Sequence, residues 1–184
     1  MTIKLAFDAS ATPEHLVGAG YYVKELVMLL DKEETIELNI ITRKNDGDRF
    51  QSFAPNSKIY AIAPNNIAAR MAFQSYKLGT FVDSLGVDLF HGPHYQLPFK
   101  MKTKSLVTIH DTTLITHKNV HRLNKAFYFS KIIPVSVKNA SAIIAVSKSS
   151  ADDIETIFGK KDNIFVAQLG FDAERFFPYK SKTD

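Results

Sequence analysis

Apolar positions along the chain fall into two rhythms that take turns. Ile3-Lys4-Leu5-Ala6-Phe7-Asp8 is a short β-prone run stopped by an acid. After a loop from Ala9 to Val17 containing Pro13, Gly18-Ala19-Gly20 opens a segment with apolar residues at Tyr22, Val23, Leu26, Val27 and Leu30. That is the 3.6-residue spacing of a helix buried along one side. Ile36 to Thr42 predicts a second strand, and the polar stretch from Arg43 to Asn56, with Gly47 and Pro55, predicts a loop. Lys58 to Ala63 predicts a third strand, Pro64-Asn65-Asn66 a turn and helix cap, and Ala68 to Leu85 one long helix stopped by Gly86.

The second half continues the alternation. Val87-Asp88-Leu89-Phe90-His91 predicts a fourth strand, followed at once by Gly92-Pro93-His94. Ser105-Leu106-Val107-Thr108-Ile109 predicts a buried fifth strand that runs directly into His110-Asp111. A polar stretch precedes a helix from about Asn124 to Lys138, in which Pro134 predicts a kink. Ser141 to Val146 predicts a strand, and Ser149 to Phe158 a helix capped by Ser149 or Ser150 and closed by Gly159. Asn163 to Gln168 predicts the last strand; Phe171 to Pro178 trails away, and residues 179–184 read as a linker or a cut end. Strands with continuous apolar runs, each followed by a helix, predict an α/β domain with a doubly wound, mainly parallel, Rossmann-like sheet.

Composition narrows the classes. With 184 residues the chain fits one domain, and with no cysteine it has neither disulfides nor thiolate metal sites. The first residues are too short and too acidic at their end for a signal peptide, and no stretch approaches a membrane span, so the expected location is the cytoplasm. A net charge of +4 suits phosphorylated ligands or anionic headgroups, yet no basic arm suggests nucleic acid.

Parallel sheets bind ligands beyond the carboxyl ends of their strands. Asp8, His91, His110-Asp111 and Ser147 all stand at such ends, and Gly18-Ala19-Gly20 starts a helix on the same edge. Each has a structural alternative: Asp111 and Ser147 can cap turns or helices, the histidines can be hydrogen-bonded supports, and the glycines can serve only as a helix entry. Asp152 and Asp153 read as first-turn helix charge. Glycines at a helix start also suit an anion, because exposed N–H groups and the helix dipole point there. The dinucleotide fingerprint GxGxxG lacks its third glycine, and Thr42 and Arg43 stand where an acidic ribose ligand would end the second strand. An NAD(P)-dependent oxidoreductase is therefore disfavoured. His91 and His94 make an H-x-x-H, but no helical H-E-x-x-H accompanies it, so no metal is expected.

In this order and spacing the segments resemble the N-terminal half of family 4 glycosyltransferases, retaining enzymes of the two-domain GT-B fold. Gly18 to Leu26 resembles their glycine loop and first helix. Val87 to Pro98, through His91, Pro93, His94, Tyr95 and Pro98, resembles their DxxHxPxxxxP segment. Val107 to Asp111 resembles their strand and His-Asp pair, and Ala140 to Ser150 their ADxIIxVSxxS segment. Gly170-Phe171-Asp172 through Phe176-Phe177-Pro178 resembles their NGVDxxxFxP ending, with Leu169 where Asn is usual.

The resemblance implies a sugar transfer from a nucleotide-diphosphate sugar to a carbohydrate or glycolipid acceptor, without a cofactor or metal. Gly18, Ala19 and Gly20 would meet the donor diphosphate and His110 the transferred sugar. Asp8, His91, His94, Tyr95, Asp111 and Ser147 would line the cleft or its acceptor side. Family members are about twice as long, so residues 1–178 would be the acceptor-side domain. The donor-binding C-terminal domain would lie in the same chain or a split partner, and this chain alone would be inactive. Other classes remain: a non-catalytic Rossmann-like binding domain, or weak association with the inner face of a membrane through lysines and Phe127-Tyr128-Phe129. For that helix Arg122, Lys125, Lys131 and Lys138 do not share one face.

Overall fold

The computed structural model describes residues 2–117, 123–159, 162–171 and 176. Arg122, residues 179–184 and most of the Asp172–Pro178 segment fall outside the described residues, as does the expected boundary at 178. The elements run β1 (Ile3–Asp8), α1 (Ala19–Leu30), β2 (Ile36–Arg43), α2 (Gly47–Phe53), β3 (Lys58–Ala63), α3 (Ile67–Tyr76) and α4 (Leu78–Ser84) in the first half. The second half contributes β4 (Leu89–Gly92), β5 (Lys104–Ile109), α5 (Thr113–Thr116), α6 (Leu123–Asn139), β6 (Ala142–Ala145), α7 (Lys148–Phe158) and β7 (Ile164–Val166).

All seven strands are parallel and join one sheet in the order β3-β2-β1-β4-β5-β6-β7. The doubly wound α/β expectation holds. Strand pleating sends Leu5, Phe7, Leu38 and Ile40 to one face, where Val23 and Val27 of α1 and Phe50 of α2 cover them. Ala6, Ile41, Phe90, Val107, Ile109 and Ile143 go to the other face, under Leu78 and Val82 of α4, Ile133 and Val137 of α6 and Ile154 of α7. The strand order reverses between β1 and β4, which opens a crevice at their carboxyl ends.

Three expectations need correction. The stretch expected as a loop from Arg43 to Asn56 contains α2, because Phe50 is buried and packs edge-on against Phe53 at 5.7 Å. Tertiary anchoring of two aromatics one turn apart outweighs the polar composition. The single helix expected from Ala68 to Leu85 is two, α3 and α4, which part at Lys77. Ser75's carbonyl accepts from Phe99 N at 2.9 Å, so the loop after β4 caps the end of α3. Gly79 lies so close to that loop that a Cβ there would fall 2.0 Å from the Lys100 carbonyl oxygen. The cap of α7 is Ser147, not Ser149 or Ser150: its extended backbone lets its hydroxyl accept from Ser150 N at 3.1 Å. The cap expected in Pro64-Asn65-Asn66 is Asn66, which accepts from Ala69 N, and Gly159 ends α7 at φ 66°. Helix α6 runs on through Pro134 to Asn139.

Candidate functional site

At the carboxyl end of β5 the chain leaves the sheet at His110. Its Nε2 lies 2.9 Å from the Pro93 carbonyl, which only accepts, so Nε2 carries the proton and Nδ1 keeps its lone pair. Burial lowers the His110 pKa below the usual histidine value, against smaller opposing pulls from the Pro93 hydrogen bond and the Asp111 charge. The ring is therefore neutral at physiological pH, with Nδ1 as its hydrogen-bond acceptor. Tyr22, in the first turn of α1, packs edge-on to it at 5.0 Å, and Tyr95 and His94 lie at 5.6 and 5.8 Å.

Beneath this ring is a buried relay. His91 is 3% exposed, stands edge-on to Phe7 and shares a 2.8 Å hydrogen bond with Thr108 Oγ1. Thr108 Oγ1 also meets Tyr22 OH at 3.1 Å. β4 and β5 thus fix the tyrosine that supports His110, and His91 is held inside the sheet layer rather than at the rim.

Asp111 works on its own loop. Oδ1 accepts from the backbone and hydroxyl of Thr113, while Oδ2 accepts from Tyr95 OH at 2.6 Å. Tyr95 sits at φ 63°, a left-handed conformation that costs a side-chain-bearing residue about 1–2 kcal/mol. A hydrogen bond to a carboxylate, about 1.5–3 kcal/mol, offsets that cost. Burial of the phenol, together with the Asp111 carboxylate, pushes its pKa far up, so it stays a donor. Ser147 reaches the same corner indirectly: it donates to Ser150 Oγ, which donates to the His110 carbonyl at 3.0 Å.

Helix α1 begins at Gly18, whose φ of 45° and ψ of −116° suit glycine. The Gly20 N–H is already donated to the Val17 carbonyl at 2.8 Å. Those of Gly18 and Ala19 have no partner among the described residues, so they are the amides open to an anion at this helix start.

On the other side of His94 a cleft of about 770 Å³ opens at the β1–β4 reversal. Ala11 follows β1; His94 and Gln96 follow β4; Arg70, Met71 and Gln74 come from α3, and Tyr128 and Phe129 from α6. Asp8 lies behind the lining residue Gln74: its Oδ1 accepts from Ser10 N and Oγ at 3.0 and 2.6 Å and its Oδ2 from Gln74 Nε2 at 2.8 Å. Burial raises the Asp8 pKa, opposed by these hydrogen bonds and by Arg70. Gln96 completes the wall, donating to Ser75 Oγ at 3.2 Å and accepting from Tyr128 OH at 3.0 Å.

The sequence model of Glycosyltransferase Family 4 matches residues 17–175. The chain belongs to glycosyltransferase family 4. It is also similar to O-antigen chain mannosyltransferase B of Escherichia coli, 26% identical over 186 aligned positions, which cover 91% of this chain and 47% of that protein. This family 4 chain therefore spans about half the length of the curated relative it matches. No helix among the described residues is long and apolar enough to cross a membrane.

Within this family 4 domain the strand-end residues fall into two groups. His110, His94, Tyr95 and Asp111 gather in one corner, with the start of α1 joined to it through Tyr22. Asp8 sits apart, bonded to the cleft residue Gln74, and Ser147 caps α7. Tyr22, Arg70 and Gln74 escaped the strand-end reading because they lie on helices. For the last two a signal exists: Ile67, Arg70, Met71 and Gln74 are spaced i, i+3, i+4, i+7, so an arginine and a glutamine interrupt one face of α3.

Proposed function

We propose that this chain is the acceptor-side domain of a glycosyltransferase. It would move a sugar, with retention, from a nucleotide-diphosphate sugar to a carbohydrate or lipid-linked acceptor at the cytoplasmic face of a membrane. The observation that carries the reading is the convergence on one sheet edge of a glycine-led helix start, the neutral His110 and the cleft beside His94.

In this reading the Gly18 and Ala19 amides and the α1 dipole face the donor diphosphate, where negative charge grows as the sugar leaves. His110, with Nε2 held by Pro93, accepts a donor-sugar hydroxyl at Nδ1 and so orients the ring without exchanging a proton. Asp111 and Tyr95 hold the loop that frames it, and the acceptor enters by the cleft beside His94. The nucleotide belongs to a second domain, in the same chain or a split partner, a view supported by the 47% coverage of the mannosyltransferase relative. No cofactor or metal is invoked.

Transfer of radiolabelled sugar from nucleotide-diphosphate donors tests this. The two-domain protein should transfer, and the 184-residue chain by itself should not. Transfer at an ordinary enzymatic rate by this chain alone would sink the half-site reading. A two-domain protein that binds no sugar nucleotide would sink the transferase reading.

A further inference from the structure

We propose that Arg70 forms an oxyanion subsite in the cleft, and that the acceptor is an acidic amphiphile with a phosphate or carboxylate docked there and an apolar chain beside it. This rests on the reading of the cleft as the acceptor site.

Arg70 is half-buried in the cleft wall, one turn from the start of α3. One guanidinium nitrogen, Nη1, donates to the Asn65 carbonyl at 2.9 Å and to that of Pro64 at 3.4 Å. These carbonyls hold the group in place but supply no counter-charge. No carboxylate among the described residues lies within ion-pair distance, and Nε and Nη2 have no acceptor among them. Of the charges nearby, Arg43 is paired with Asp46, and Asp8 commits its oxygens to Ser10 and Gln74. Burial first, and Arg43 second, lower the Arg70 pKa, against smaller opposing pulls from the more distant Asp8 and Asp46 charges. A guanidinium with one edge unused presents the planar fork that fits a phosphate or carboxylate.

Apolar side chains share the cleft with this cation. Ile67, Met71 and Phe129 line the same cleft, and Ile67 is 66% exposed at its mouth although it is a large apolar residue. A free sugar would leave this surface wet, whereas an alkyl chain next to an oxyanion would cover it.

The test is an NMR titration of the purified chain with hexyl phosphate, hexanoate, inorganic phosphate and hexyl glucoside, all without micelles. Hexyl phosphate or hexanoate should shift resonances of α3 and α6 around the cleft, and which of them binds more tightly identifies the oxyanion. Arg70→Gln should weaken that binding about tenfold or more, and Arg70→Lys should recover part of it. Lys58→Gln removes the same charge at the opposite end of the strands and should leave binding unchanged. Hexyl glucoside binding as tightly as hexyl phosphate would overturn the anionic half, and inorganic phosphate binding as tightly would overturn the apolar half. Affinity unaltered in a folded R70Q protein would overturn the subsite. Because the readout is binding, these failures leave sugar transfer standing, and the transfer assay fails independently of them.

Discussion

Acid titration should expose His91 more directly than any substitution at the rim. Its ring is 3% exposed, edge-on to Phe7 at 5.0 Å, with Nε2 engaged by Thr108. Burial, with a smaller push from His110, lowers its pKa from 6.5 to about 3. Between those values the unfolded chain binds a proton that the folded chain refuses. Stability from this group is therefore complete above pH 6.5 and is lost as pH falls towards 3. Integrated from pH 7 to pH 5, the two values give about 2 kcal/mol, or ~4–8 °C in Tm for a chain of this size. His110, also lowered by burial, acts in the same direction. Asp8, raised by burial, acts in the opposite one: it keeps a proton that the unfolded chain has released, and its contribution fades as pH rises through its folded pKa. The comparison must therefore be between proteins. Urea denaturation followed by circular dichroism at pH 5, 6 and 7 should give a steep acid limb for the native sequence and a shallower one for His91→Leu, which leaves Thr108 and Tyr22 bonded to each other. Equal limbs in the two proteins would refute the argument that a buried neutral His91 sets the slope.

Three further outcomes follow from the same geometry. Thr108→Val keeps the side chain's shape but removes the hydroxyl shared by His91 and Tyr22, which should cost about 1–3 kcal/mol. A thermal melt within about 1 °C of the native one would contradict that bond. Gly92→Ala places a Cβ 2.3 Å from the Gln96 carbonyl oxygen. The displaced loop should cost about 1–3 kcal/mol or more, seen as a lower Tm or loss of soluble protein, and a native-like melt would show that the loop yields freely. On the proposed reading, His110→Ala in a two-domain protein carrying this chain should lower sugar transfer roughly tenfold, with this chain still melting as one cooperative unit. Unchanged turnover would leave His110 a support for Tyr22 only.

The sheet was legible because its information is local. Apolar runs such as Leu5–Phe7, stopped abruptly by Asp8, announce a buried strand whatever they pair with. Asn66 and Gly159 mark helix ends by chemistry confined to a few residues. The misread segments are those decided elsewhere in the chain. Gly47–Phe53 is polar and short, and it becomes a helix only because β2, β3 and α1 supply a surface for Phe50. The break at Lys77 is likewise invisible locally. It forms where the loop carrying Phe99 and Lys100 caps α3 and presses on Gly79, so that α3 can wall the cleft while Leu78 and Val82 of α4 stay under the sheet.

The same division runs through the site. Strand order alone placed Asp8, His91 and His110 at one edge, because every carboxyl end of a parallel sheet lies there. Which of them faces outward depends on pleat and on what packs above. His91 and His110 point to the α1 side of the sheet, yet Tyr22 and Thr108 enclose the first and leave the second at the rim. Asp111, adjacent to His110 and equally ionisable, turns instead to Tyr95 and Thr113. A proton-handling dyad at this strand end would need the carboxylate to orient the imidazole, as a general base requires. Here the imidazole is oriented by the Pro93 carbonyl and the carboxylate by its own loop, so the pair acts as two separate supports. That arrangement fits a neutral hydrogen-bond acceptor for a sugar hydroxyl and fits poorly a residue that must gain and lose a proton in each turnover.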